Sequence, residues 1–183
     1  MRLTIELIPA GSWGANLRSL LTRGEWDRLR KHCYAEAGHV CEICGGTGLT
    51  QNRRHAVEAH EIWEYDDENR IQRLVGLQAL CPLGHACKHM GLSISRGGGH
   101  RAIEHFRKVN DCDLETAQDY INLCFAIHAH RSIGAPWTLD LSWLRDAVAL
   151  TPRDHARIRE MVEKNEGVYM EPPTTTDQQE RKE

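Results

Sequence analysis

The 183-residue chain has no apolar run long enough to span a bilayer, no marked excess of one charge and no internal repeat. Each absence excludes something. Without an apolar run of roughly 20 residues, no membrane span is expected. A formal net charge of -3 argues against a protein that coats nucleic acid through bulk charge, and leaves a local basic face open. The opening "MRLTIELIPAGSWG" has Arg2 and a short apolar patch, but Glu6 interrupts it and no small-residue cleavage site follows. A secretory signal is therefore not expected. Seven cysteines are an odd number for a disulfide framework. With no signal, they point to a reducing, cytoplasmic setting in which clustered cysteines act as ligands.

What the chain does have is an ordinary apolar share of 40 %, enough for a real core, and eleven histidines, several of them beside the cysteines. In "RLTIELI", Leu3, Ile5 and Leu7 share one face, which predicts a short strand. Thr22 and Glu25 have capping-box spacing ahead of a helix whose apolar positions are Trp26, Leu29, Cys33 and Ala37, with Gly38 as its stop. The other face of that helix carries Arg23, Arg28, Arg30 and Lys31. Such a face usually meets only water; contact with nucleic-acid phosphates is the sharper reading, and Lys88 joins that set. Ala56 to Tyr65 is expected to be extended, "QRLVGLQALC" a strand, and "GHACKHM" the start of a short helix ended by Gly91. "SRGGGH" suggests a flexible loop.

From residue 101 the chain reads as mainly helical. Ala102, Ile103, Phe106 and Val109 fall on one side of the first helix; Leu114, Ala117, Ile121, Cys124 and Phe125 fall on one side of the second, with Asp113 as its cap. Thr151 and Pro152 open a third. Cys112 and Cys124 suit small core positions, while His32, His105, His128 and His130 have no ligand partners at local spacing and are assigned to surface or packing. Trp63 and Tyr65 could stack on bases, although beside a strand such residues more often pack a core. Four regions result: an N-terminal strand and helix (1–37), a central metal-finger core (38–95), a C-terminal helical region (96–170) and a disordered tail (171–183).

Cys41-Glu42-Ile43-Cys44 spaces two thiolates to grip one tetrahedral ion, and Gly45 and Gly46 favour a tight knuckle. A second pair about forty residues on would complete a zinc site; the chain supplies Cys81, but Gly84 stands where the partner cysteine belongs. Between these halves His60 and Glu61 lie on the extended segment. Beyond Cys81, His85 and His89 sit one helical turn apart and can share a cation.

Cysteine pair, strand with histidine, then helix with His-x-x-x-His is the order of a ββα-metal finger. The segment Cys41 to Gly91 resembles the HNH endonucleases, and the wider stretch from Trp13 to Trp143 resembles the stand-alone bacterial or phage type. The resemblance implies an α+β fold, mainly helical around a ββα-metal finger with a zinc-knuckle-like cysteine site. It implies a cytoplasmic metal-dependent endonuclease acting on DNA, with Mg, Mn, Ni or Zn at the catalytic site and a structural zinc elsewhere. "VEAHEI" then matches the family's "LEVHHI": His60 falls at the metal-ligand position and Glu61 at the general-base position, with His85 and His89 as the helix ligands. In the other register His60 is the base, and Glu58 or Glu61 must substitute for Ala59 as ligand.

Two departures from the family pattern stand out. Gly76 occupies the place of the motif's asparagine, for which Asn69 is a substitute from elsewhere. Gly84 opens the structural site of Cys41, Cys44 and Cys81, for which Cys87 is the nearest extra thiol and Cys33 a remoter one. Together with Glu61 they support a second reading, a catalytically degenerate module that holds nucleic acid or a protein partner without cutting. A homo-oligomer is compatible with either.

Overall fold

Two strands joined by a tight turn run through the structure, the second with burial that alternates over its first part and the first without regular alternation. The computed structural model describes residues 1–10, 16–148, 150–164 and 167–170; the expected tail, 171–183, lies outside the described residues, as do 11–15 of the HNH-like stretch. The fold is α+β. Helices α1 (Leu17–Leu20) and α2 (Arg23–Glu36) lead to a 3-10 turn at Gly48–Gln51, then to strands β1 (Glu58–Asp66) and β2 (Ile71–Leu80). Helices α3 (Pro82–Lys88), α4 (Met90–Ser95), α5 (Gly99–Asn110) and α6 (Leu114–Arg131) follow, then β3 (Thr138–Asp140), α7 (Leu144–Ala147), α8 (Pro152–Lys164) and β4 (Val168–Met170). The sheet order is β1-β2-β3-β4; β3 runs parallel to β2, with Ile71 opposite Thr138, and β4 runs parallel to β3. The turn between β1 and β2 is too short for a crossover and makes them a hairpin. Asp66 closes it, its carboxylate accepting from the Asn69 backbone N–H at 2.9 Å and side-chain amide at 2.8 Å.

The chain forms two compact units that interleave along the sequence. Among the described residues the first comprises Met1–Ala10, Asp27–His60 and Leu77–Gly134, and the second 16–26, Glu61–Gly76 and 135–170. In the first unit Leu3, Ile5, Cys87, Met90, Ala102, Phe106, Ala117 and Ile121 form one buried cluster. Phe106 is fully buried and stacks on Tyr120, with centroids 5.5 Å apart; its truncation to alanine would cost about 3–5 kcal/mol. In the second unit Leu17, Leu20, Trp63, Leu74, Trp137, Leu139, Leu144 and Ile158 are buried, and Trp137 receives the Tyr65 ring edge-on at 5.4 Å. Trp63 and Tyr65 therefore both pack rather than lie open for bases.

The helix starts follow the local signals. Thr22 and Glu25 exchange hydrogen bonds, the Glu25 carboxylate accepting from the Thr22 N–H at 2.7 Å. Asp113 accepts from the Thr116 N–H at 2.8 Å, and Thr151 pairs with Asp154 ahead of Pro152. Other expectations fail for tertiary reasons. The predicted N-terminal strand is an extended segment without a strand partner: the Asn110 side chain bonds the backbone of Arg2 and Leu3, and the Glu6 N–H donates to the Lys88 carbonyl. Gly91 does not stop a helix, since the break falls at His89 (φ −94°, ψ 47°) and α4 carries through Gly91, where Leu7 and Phe125 approach closely. Part of the expected "SRGGGH" loop is helical, α5 starting at Gly99. Leu114, placed on the apolar face of α6, is 54 % exposed.

Candidate metal centres

Cys81 starts the helix that matters most. Its side chain caps α3 by accepting from the Gly84 N–H at 3.3 Å, and Pro82 supplies a fixed first helical position. One turn in, His85 projects from α3. One turn further the His89 N–H donates to the His85 carbonyl at 3.1 Å, which sets both rings on one face. Strand β1 brings His60 to them. The three rings meet edge to face, with centroids 4.7 Å apart for His85–His89, 5.0 Å for His60–His89 and 5.4 Å for His60–His85. One ligand nitrogen from each lies within 4.8 Å of the others, so the group could hold a metal ion.

The surroundings fit that use. His60 is 3 % exposed; its Nε2 meets the Glu6 carboxylate at 3.0 Å, and its Nδ1 is buried with no hydrogen-bond partner. A buried nitrogen without a partner costs roughly 1–3 kcal/mol, a cost that a coordinated cation removes. His85 Nδ1 meets Glu58 at 2.6 Å, which leaves its Nε2 free to ligate; Glu58 also holds His55 Nε2 at 2.6 Å. The carboxylates behind His60 and His85 fix the tautomers and strengthen those two ligands. The His85 hydrogen bond holds the Glu58 carboxyl down at about 2, against the effect of burial. Burial works to raise Glu6, but hydrogen bonds and charge from His60 and Lys88 outweigh it and the net shift is downward. Burial, with His85 and His60 adding to it, pushes His89 down to about 3, so that its ring is neutral near pH 7 and its lone pair is available.

The second group is built on the "CEICGG" turn. The Cys41 N–H donates to the Gly46 carbonyl at 2.9 Å and the Gly45 N–H to the Cys41 carbonyl at 2.8 Å; Gly45 takes a left-handed conformation (φ 70°) that a side chain would strain. Cys44 Sγ and Cys81 Sγ are 3.7 Å apart, and the sulfurs of Cys41, Cys44 and Cys81 all lie within 4.8 Å of one another, so this group too could hold a metal ion. A hydrogen bond from Cys81, then backbone N–H groups of Cys81, Cys44 and Ile43, push the Cys41 thiol down to about 4, while burial pushes Cys44 up. A turn that lowers one thiol in this way is ready to present a thiolate.

Several residues expected at these sites are elsewhere. Cys87 does not join the thiols: its Sγ donates to the Ala102 carbonyl at 3.0 Å within the core, and burial pushes it up to about 12. Cys33 is likewise a buried thiol outside the group, pushed up to about 11. Glu61 follows His60 on a strand and so faces the other way; its carboxylate accepts from the Leu17 N–H at 3.0 Å, at the start of α1. Asn69 is engaged by Asp66 in the hairpin turn. Among the basic residues, Arg23, Arg28 and Lys31 are exposed, Arg30 is paired with Asp27 at 2.7 Å, and Lys88 is buried against Glu6 and Thr4, which removes it from any phosphate-binding face.

Sequence reasoning misses two residues of these groups, Glu6 and His105. Glu6, in sequence an interruption of an apolar patch, supports His60. His105, assigned to surface or packing, places its Nε2 3.5 Å from Cys81 Sγ. The one available signal is arithmetic, a three-cysteine group lacking a fourth ligand. No family model, curated protein or solved structure matches the chain. Among the described residues no helix is long and apolar enough to cross a membrane.

Proposed function

We propose that the chain is a metal-dependent endonuclease of the HNH type, hydrolysing DNA phosphodiester bonds at the His60, His85 and His89 centre, with a structural zinc at the thiols. The observation that carries this reading is the meeting of a strand histidine with a His-x-x-x-His helix, with the buried Nδ1 of His60 left without a partner. Three nitrogen ligands are the donor set of an ion that keeps a position for water or substrate. When bound, such an ion supplies Lewis-acid polarisation of the phosphate and a water of lowered pKa.

The protein's own part is positioning. Glu6 and Glu58 lock the His60 and His85 rings, and the buried Lys88 offsets the charge of Glu6. Glu58 lies two residues before His60 and so on the same strand face, whereas Glu61 is turned toward α1. The exposed Arg23, Arg28 and Lys31 supply cations for backbone phosphates, and binding through them should weaken steeply with salt.

The test is supercoiled-plasmid cleavage by wild type and His85→Ala, first stripped of weakly held ions and then with Mg or Mn. Metal-dependent cutting that the variant lacks supports the reading. Equal cutting by both removes the site assignment. With Glu61 engaged by the Leu17 N–H, the histidine centre has no residue assigned as general base, which favours a second reading, a non-cutting module of the same fold. Salt-sensitive DNA binding by a folded wild type that cuts with none of the metals would select it.

A further inference from the structure

The thiol group needs a fourth ligand to close a structural zinc site, and the cysteine that the spacing calls for is Gly84. We infer that His105 of α5 is that ligand, so that Cys41, Cys44, Cys81 and His105 form a Cys3His zinc site. This inference does not rest on the nuclease reading.

Three observations support it. The first is distance. With zinc–sulfur bonds of about 2.3 Å and zinc–nitrogen bonds of about 2.0–2.1 Å, tetrahedral geometry separates two sulfurs by about 3.8 Å and a sulfur from a nitrogen by about 3.6 Å. The structure has 3.7 Å between Cys44 Sγ and Cys81 Sγ and 3.5 Å between Cys81 Sγ and His105 Nε2. His105 is at ligand spacing from Cys81 but outside the 4.8 Å group of the three thiols, so its ring closes on the other sulfurs when an ion binds. The second is space. A Cβ at position 84 would lie 3.3 Å from Cys81 Sγ, 3.8 Å from Cys41 Sγ and 3.9 Å from His105 Nε2. A cysteine there would direct its sulfur into the space that the imidazole now approaches, so the glycine and the histidine are complementary: one vacates what the other fills. The third is access. Cys44 and His105 both line an open cleft of about 760 Å³, through which an ion can reach otherwise buried thiols.

The consequence is mechanical as well as chemical. Phe106, the next residue on α5, is fully buried in the core of the same unit, so the helix carrying His105 is anchored. An ion held by His105 and Cys81 ties α5 to the N-cap of α3, one turn before His85. The zinc site would thereby set the position of the helix that carries two of the three clustered histidines.

The experiment uses the full chain, with metal content and cobalt substitution as readouts. Wild type should retain zinc at one equivalent beyond any ion that mild chelation removes, and its cobalt form should show thiolate-to-metal charge transfer of three-thiolate intensity. His105→Ala should weaken zinc retention by more than about 100-fold, beyond the range typical of a supporting residue. His105→Cys keeps a ligand and guards against a variant that fails to fold: its charge-transfer intensity should rise by about one third, to the four-thiolate value. Gly84→Cys combined with His105→Ala should restore retention and also give the four-thiolate spectrum. Unchanged zinc retention in His105→Ala, or a three-thiolate spectrum in His105→Cys, would overturn the assignment.

Discussion

The thiol group and the histidine group share helix α3, yet their surroundings differ in kind. Around the sulfurs the partners are backbone N–H groups, that of Gly84 on α3 and those of the turn, and one imidazole, and Cys41 and Cys81 are almost wholly buried. Around the imidazoles the partners are carboxylates, Glu6 behind His60 and Glu58 behind His85, and the His85 side chain remains 26 % exposed. Soft ligands on a glycine turn, two of them almost wholly buried, suit an ion that stays and holds the fold together. Imidazole nitrogens braced by carboxylates, with one side toward solvent, suit an ion that must also accept a substrate oxygen. The difference teaches that one helix can join two donor groups of different kind when its two ends are supplied from different segments, the cap from the glycine turn and α5, the later turn from β1 and the N-terminal segment.

The sharpest way to break that comparison is to remove a thiol. Structural zinc in small sites contributes apparent binding free energies on the order of 10 kcal/mol, comparable to the whole stability of a typical domain. Cys81→Ser should therefore abolish cooperative unfolding of the first unit, and strong chelation of the wild type should do the same, both followed by circular dichroism during heating. A Cys81→Ser protein that melts like wild type would mean that the thiols hold nothing structural. His89→Ala should act in the opposite sense. Cleavage with added metal should fall by about 10³-fold or more, the several kcal/mol expected of a lost Lewis-acid site, while zinc content and melting stay near wild type. Loss of fold in this variant would erase the distinction between the two groups.

What could be seen in the sequence divides in the same way between local and distant causes. The capping residues Thr22, Asp113 and Thr151, the two strands and the His85–His89 pair are set by neighbours within four positions, and the spacing alone shows them. Cys41 and Cys44 are legible because a knuckle has fixed spacing, and Cys81, whose knuckle partner is Gly84, through the order of the finger motif alone. Glu6 is 54 positions from His60, and His105 is 24 from Cys81; packing alone brings each pair together, and no periodicity encodes it. The N-terminal segment has the alternation of a strand and the burial of one, but a ladder needs a partner, and Asn110 occupies that role instead. Glu61 is a different case. Its place next to His60 in the sequence suits the general-base position that the resemblance implies, whereas on a strand adjacent residues face opposite ways, and its carboxylate meets the Leu17 N–H 44 positions away.

Intermediate effects should come from the carboxylates, which separate a braced imidazole from a bare one. Glu58→Gln and Glu6→Gln should each reduce metal affinity or cleavage by about 10–100-fold, measured as the metal concentration giving half-maximal cutting, with zinc content unchanged. A variant without effect would mean that its histidine needs no orientation. Zinc loss on either substitution would show that the two groups are coupled through α3 more tightly than the contacts suggest.

The smallest expected effect belongs to Glu61. In Glu61→Ala the Leu17 N–H at the start of α1 loses its acceptor, which should cost about 1 kcal/mol in denaturant unfolding. Cleavage at fixed metal should stay within about threefold of wild type, because the residue faces away from His60 and is committed to a helix terminus. A thousandfold loss of cutting with unchanged stability would reverse this. It would make Glu61 the group that takes the proton from water and would require that its hydrogen bond to Leu17 be released when DNA binds.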